Sequence, residues 1–144
     1  MSHPRDTARF GHSDDETLRY LLSLKLILAA DGLHPLEEHA LSRGMALMGV
    51  PDDIRATVQR FEVGGAILED YLPQSPTRGR ARLLVYDAVR LASADGLYAD
   101  AEREAVARAA AALGVDTFSV RALEGLVQME RVVDQLRRGL LQAE

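Results

Sequence analysis

A four-residue corner occurs twice in this chain, and its recurrence limits the fold more than any other feature. Ala30-Asp31-Gly32-Leu33 reappears as Ala94-Asp95-Gly96-Leu97, 64 positions later. Each copy follows a run that is apolar on nearly every side: LRYLLSLKLILAA before the first, ARLLVYDAVRLA before the second. Each is followed by acids and then by a helix-forming stretch closed by Gly-Val, at Gly49-Val50 and Gly114-Val115. The offset grows to 65 at Gly-Val, and to 66 where Ile54-Arg55-Ala56 meets Val120-Arg121-Ala122. Single insertions near helix ends produce such a drift. A helix that is apolar all round needs cover on every side. One copy cannot supply it, whereas two copies can pack their apolar helices together.

Helical punctuation runs through both halves. Ser13 and Glu16 form a capping-box pattern, with acids in the first turn to suit the helix dipole. Helix one is expected from about Asp14 to Ala30 or Asp31. Gly32 suits a left-handed cap, and Pro35 suits a first helical turn. Helix two then extends to about Met48. Helix three starts near Pro51 or Asp52 and is weakened by Gly64-Gly65. The stretch PQSPTRGR (73–80) reads as a linker. Helix four is expected over about 80–94, helix five over 101–113 and helix six from Asp116 or Thr117, with a last helix over about 131–141. No segment alternates as a strand would. The expected fold is all-α: a single domain made of a duplicated helical bundle. Two three-helix repeats (about 14–72 and 81–128) surround two central apolar helices, with a C-terminal helix added and residues 1–12 flexible. Leu21, Leu24, Ile27, Leu28, Leu84, Ala88 and Leu91 should form the core.

Composition removes several function classes. The chain has 144 residues and no cysteine, which excludes disulfides, thiolate metal sites and thiol catalysis. Its net charge of −5 argues against nucleic acid as a partner. The arginines at 78, 80, 82 and 90 read as a solvated helix face. The longest apolar run, Leu18 to Ala30, contains Arg19 and Lys25 and is too short to span a membrane. Without an apolar leader, a cytoplasmic location is expected. There is no phosphate loop and no compelling Ser-His-Asp set, so an enzyme is not expected.

The corners carry the candidate chemistry. An Asp-Gly with a Glu seven residues after the Asp matches the back half of an EF-hand loop. The front half is absent: its ligand positions would fall on Ile27 and Ala29, or on Leu91 and Ser93, inside apolar helices. Asp31 and Asp95 sit at helix C-termini, where the dipole disfavours an anion. An Asx-turn, a bound cation or a basic partner would compensate. The oxygen donors available are Asp31, Glu37 and Glu38 in the first copy, and Asp95, Asp100 and Glu102 in the second. Such a set suits calcium, magnesium or manganese ahead of zinc. His34 has only Tyr98 as counterpart, which argues against a symmetric zinc site, and His39 reads as solvated. Met45, Met48 and Met129 read as core.

The segments AADGLHPLEEHALSRGMALMGV and SADGLYADAEREAVARAAAALGV resemble the TerB-like domains of tellurite resistance, over roughly residues 18–127. The resemblance implies an all-α fold of two three-helix repeats around two central helices. It implies a non-enzymatic module in bacterial tellurite, metal-ion or envelope stress, working with protein partners, membrane-associated ones included. The family's acidic positions carry over to Asp31, Glu38, Asp95 and Glu102. The Ser or Asp usual four residues after the family's Asp is replaced by Pro35 and Ala99, which weakens a capping box at either helix. If Asp100 instead caps the second copy, Glu102 corresponds to Glu37. A metal-dependent hydrolase using the acidic corners and a purely structural adaptor are the two other readings.

Overall fold

A computed structural model describes residues 14–142. The expected flexible lead at 1–12 and the Ser13 half of the first capping box lie outside the described residues. Among those described, six α-helices and two short 3-10 turns account for the regular structure. The helices are α1 (Asp14–Leu28), α2 (Pro35–Leu47), α3 (Asp52–Arg60), α4 (Arg78–Ala92), α5 (Asp100–Leu113) and α6 (Thr117–Leu141). The 3-10 turns are Ala29–Asp31 and Leu68–Asp70.

The two apolar helices are central, as their composition requires. α1 packs against α2, α3, α4 and α5, and α4 packs against α1, α2, α5 and α6. Leu21, Leu24, Ile27 and Leu28 are buried on α1, and Leu84, Ala88 and Leu91 on α4. α5 adds Ala105, Val106, Ala109 and Ala110 to the same core. These small side chains let α5 lie close to its neighbours.

Polar groups inside this core are answered by named partners. The Tyr20 hydroxyl on α1 donates to Asp87 Oδ2 on α4 at 2.5 Å. Ser23 donates to the carbonyls of Arg19 and Tyr71. Lys25 is buried in α1, and its ammonium donates to the carbonyls of Val58, Gln59 and Phe61 at 2.7, 3.1 and 2.9 Å. It thereby caps the C-terminus of α3, where carbonyls lack helical donors and the dipole favours a cation.

The two halves are built alike at their corners. Gly32 and Gly96 have φ of 79° and 86°. Each donates its N–H to the carbonyl three residues back, Ala29 and Ser93 respectively. α2 and α5 end in the same Schellman arrangement. Val50 donates to Met45 and Gly49 to Ala46; Val115 donates to Ala110 and Gly114 to Ala111.

Three boundaries differ from the sequence expectation. α6 runs unbroken from Thr117 to Leu141, so the separate C-terminal helix at 131–141 does not exist. The stretch LVQMER contains no stopping residue, and Gly125 alone costs a helix only about 1 kcal/mol. The linker is shorter than 73–80, because the Thr77 hydroxyl accepts from the Arg80 N–H and Arg78 is already helical. α3 ends at Arg60, four residues before the glycines expected to bend it. Met129 is exposed on α6, contrary to its reading as core, while Met45 is buried.

Candidate functional site

The six acids singled out in the sequence do not converge. Asp31, Glu38 and Asp100 are exposed and Asp95 is half-buried. Glu37 and Glu102 are both buried, at 0% and 1% exposure. Among the described residues no group of three or more His, Asp or Glu is arranged to hold a metal ion.

The two buried glutamates arise from the same local device. Pro35 is the first residue of α2, so His34 is the cap and Glu37 the third helical position. The His34 N–H donates to Glu37 Oε1 at 3.3 Å. In the second half Ala99 is the cap, Asp100 comes first and Glu102 third. The Ala99 N–H donates to Glu102 Oε1 at 3.2 Å. Each glutamate therefore forms the acid half of a capping box. Pro35 does not block the device, because it follows the cap instead of occupying it.

The counterpart of Glu102 is thus Glu37, and the correspondence of Glu38 with Glu102 is corrected. The loop before α5 holds one residue more than the loop before α2. Glu38 turns outward instead, onto a cleft of about 300 Å³ that it lines with Lys25, Leu41 and Met45. Asp100, weighed as a cap, is exposed at the first helical position.

Beyond their caps, the two carboxyl groups meet each other. Glu37 Oε2 and Glu102 Oε2 are buried without a donor among the protein's N–H and O–H groups. A proton on one of the two carboxyls supplies the missing donor. Burial pushes the Glu102 carboxyl up to about 8, and its hydrogen bond with Glu37 acts in the same direction. The charges of Glu37 and Asp95 raise it further, while the Ala99 N–H works the other way. The two carboxyls are hydrogen-bonding neighbours, and Glu102 is the one whose surroundings favour the protonated form. Two carboxyls sharing one proton is the expected state of such a pair in a low-dielectric site.

The aspartates behave differently from each other. Asp95 Oδ1 accepts from the Leu97 N–H at 2.9 Å, an Asx-turn that offsets its place at a helix end. Asp31 makes no such bond among the described residues. It lies on the 3-10 turn that packs against α5, the helix carrying Glu102. His34 and His39 are exposed. Tyr98 is half-buried beneath the Arg103 guanidinium, 4.3 Å from the ring centre, and Arg103 pairs with Glu124 at 3.0 Å.

Two apolar helices wrapped by four others, with an acid pair joining the two halves, define an all-α bundle. The full length of the chain is similar to a tellurite resistance protein from Nostoc punctiforme, with a TM-score of 0.74 and 22% identity. The match covers 100% of this chain and 98% of that one. The all-α bundle implied by the resemblance is therefore observed. No protein-family model and no curated protein sequence matches the chain.

Proposed function

We propose that the chain is a non-enzymatic, cytoplasmic binding module of tellurite or metal-ion stress, and that its working site is the Glu37–Glu102 pair. The reading takes its stress role from the fold shared with a protein named for tellurite resistance. The pair takes a divalent cation in exchange for its shared proton. The observation that carries this is the two buried Oε2 atoms without donors, one from each half of the chain. Once the shared proton leaves, two buried carboxylates side by side repel, so a cation between them is favoured.

The donors fit a hard cation. Both are carboxylate oxygens, which suit calcium, magnesium or manganese before zinc. Glu37 and Glu102 would hold the ion, and Asp95 is the further acid whose charge Glu102 already feels. With two protein carboxylates the ion keeps water ligands, as magnesium commonly does. Binding releases a proton, so affinity rises with pH up to about 8, where Glu102 ionises unaided.

Calorimetric titration with calcium, magnesium, manganese and zinc at pH 6 and pH 8.5 tests this. At a hundredfold excess over its dissociation constant, an ion that binds only the folded state stabilises it by about 2.7 kcal/mol. The melting temperature then rises by roughly 5–10 °C for a domain near this size. The Glu37→Gln/Glu102→Gln variant should lose both the heat and the rise. If none of the four ions produces either signal, cation binding is wrong. The structural-adaptor reading would then stand, favoured by the absence, among the described residues, of three or more His, Asp or Glu placed to hold one ion.

A further inference from the structure

Past Arg131, α6 leaves the bundle. Every residue from 132 to 142 is exposed, and Val127 is the one buried residue of this 25-residue helix. A helical segment so short is marginal in water without something to pack against. Its outer face is nevertheless apolar. Leu126, Met129, Val133, Leu136 and Leu140 are 40%, 61%, 48%, 56% and 76% exposed. They are spaced three, four, three and four residues apart, the a and d pattern of a helical seam. The bundle-facing side is occupied otherwise: Val127 is buried, Glu130 accepts from the Tyr86 hydroxyl, and Arg131 donates to the Ser93 carbonyl. The seam points away from the molecule's own core.

We infer that this seam is a self-association surface, through which two copies of the chain pair their α6 helices antiparallel. The pattern is self-complementary in that direction. A register that sets Val133 against Leu136 of the second copy also sets Met129 against its Leu140. Two-fold symmetry repeats both layers, and the interface closes on itself. Charge selects the same arrangement. The seam's flanking e positions are Glu130 and Arg137, both exposed; Glu130 holds the Tyr86 hydroxyl on Oε1, which leaves Oε2 for a second copy. In the antiparallel register, Glu130 of each copy meets Arg137 of the other. A parallel pair would instead oppose these charges with the g positions Gly125, Val132 and Gly139, none of which is charged. Gly139 also stands opposite Val132 of the second copy, where its lack of a side chain lets the helices approach.

Sedimentation and light scattering of the full chain over a concentration series test the inference. The wild-type chain should be dimeric at roughly 100 µM, two decades above a micromolar dissociation constant. Val133→Asp/Leu136→Asp should be monomeric and keep the cooperative unfolding of the bundle, because both residues are exposed and lie past its last contacts. Glu130→Arg alone, or Arg137→Glu alone, places like charges together twice and should weaken association roughly tenfold. Combining the two should restore it. With no cysteine in the chain, single-cysteine variants report orientation. Val133→Cys mixed with Leu136→Cys should cross-link in preference to either variant with itself. A monomeric wild type, a dimer indifferent to the paired aspartates, charge changes that fail to compensate, or preferential self-cross-linking of Val133→Cys would each overturn it.

Discussion

Glu37 and Glu102 are hydrogen-bonding neighbours inside the protein, each with one carboxyl oxygen on the N–H of its own helix cap and the other buried. The pair ties the start of α2 to the start of α5, and so the first half of the chain to the second. The tie holds only while one proton is shared, because two buried carboxylates side by side repel without a donor between them.

Stability should therefore fall as the solution becomes alkaline. Glu102 titrates near its ordinary value when unfolded and near 8 when folded. Between those values the folded state holds the extra proton, so raising the pH favours unfolding. The shared-proton contribution is complete below about 4.5 and is lost as pH passes 8. The loss should be on the order of a few kcal/mol. Melting temperatures measured from pH 6 to pH 9 should drop for the wild type. Glu102→Gln should show a flatter profile and be the more stable chain at pH 9, since its amide donates to Glu37 at any pH. Equal slopes for the two chains would mean that the pair does not share a proton.

Gly32 and Gly96 should resist replacement for conformational reasons. A Cβ at Gly32 would touch nothing within 4 Å, and one at Gly96 would make only an ordinary contact with Arg131 at 3.7 Å. Space is available at both, but φ of 79° and 86° is strained for any L side chain. Gly32→Ala and Gly96→Ala should each cost about 1 kcal/mol, or roughly 2–4 °C in melting temperature. A neutral result at both would show that the corners relax when substituted.

Much of the fold was legible because it rests on local rules. All-round apolarity identified α1 and α4 as central, and the two glycine corners located their ends. The candidate site was legible only in part. Whether Glu37 or Glu38 takes the third helical position depends on a one-residue difference between two loops, which periodicity does not resolve. The meeting of Glu37 with Glu102 is tertiary, so neither glutamate's neighbours in sequence announce it. Lys25 looked like a charge interrupting an apolar helix, because the carbonyls it caps lie more than thirty residues away. The single course of α6 was missed although no residue between 126 and 131 stops a helix. Its exposed apolar face beyond the bundle offered no core contact by which to extend it.

Lys25 should matter to stability more than a helical lysine usually does. Its ammonium is the donor for three carbonyls at the end of α3. Burial lowers its pKa from the usual lysine value, with the charge of Glu38 opposing that shift. Lys25→Met keeps the apolar stem and removes the donor, leaving the three carbonyls, of which that of Val58 is in the buried bond, without their ammonium. The expected loss is about 3 kcal/mol in urea unfolding, of the size seen when buried partners of a charged group are orphaned. A loss below about 0.5 kcal/mol, the range of an ordinary surface change, would mean that water replaces the ammonium there.

The bond between Tyr20 and Asp87 joins the two central helices directly and should show as coupling between them. Both residues are buried, and the 2.5 Å contact is a hydroxyl donating to a carboxylate. Burial raises the Tyr20 pKa, and the charge of Asp87 raises it further, so the phenol keeps its proton throughout the range in which the protein is folded. Arg90, 3.4 Å from the other Asp87 oxygen, is the carboxylate's second side-chain partner. Tyr20→Phe removes the stronger of Asp87's two side-chain donors and should cost about 2 kcal/mol. Asp87→Asn leaves the tyrosine a weaker, neutral acceptor. The double variant should cost less than the two single changes added together, with a coupling of about 1 kcal/mol or more by urea unfolding. Strict additivity would mean that α1 and α4 are joined by apolar packing alone, and that the hydroxyl and the carboxylate are each satisfied independently.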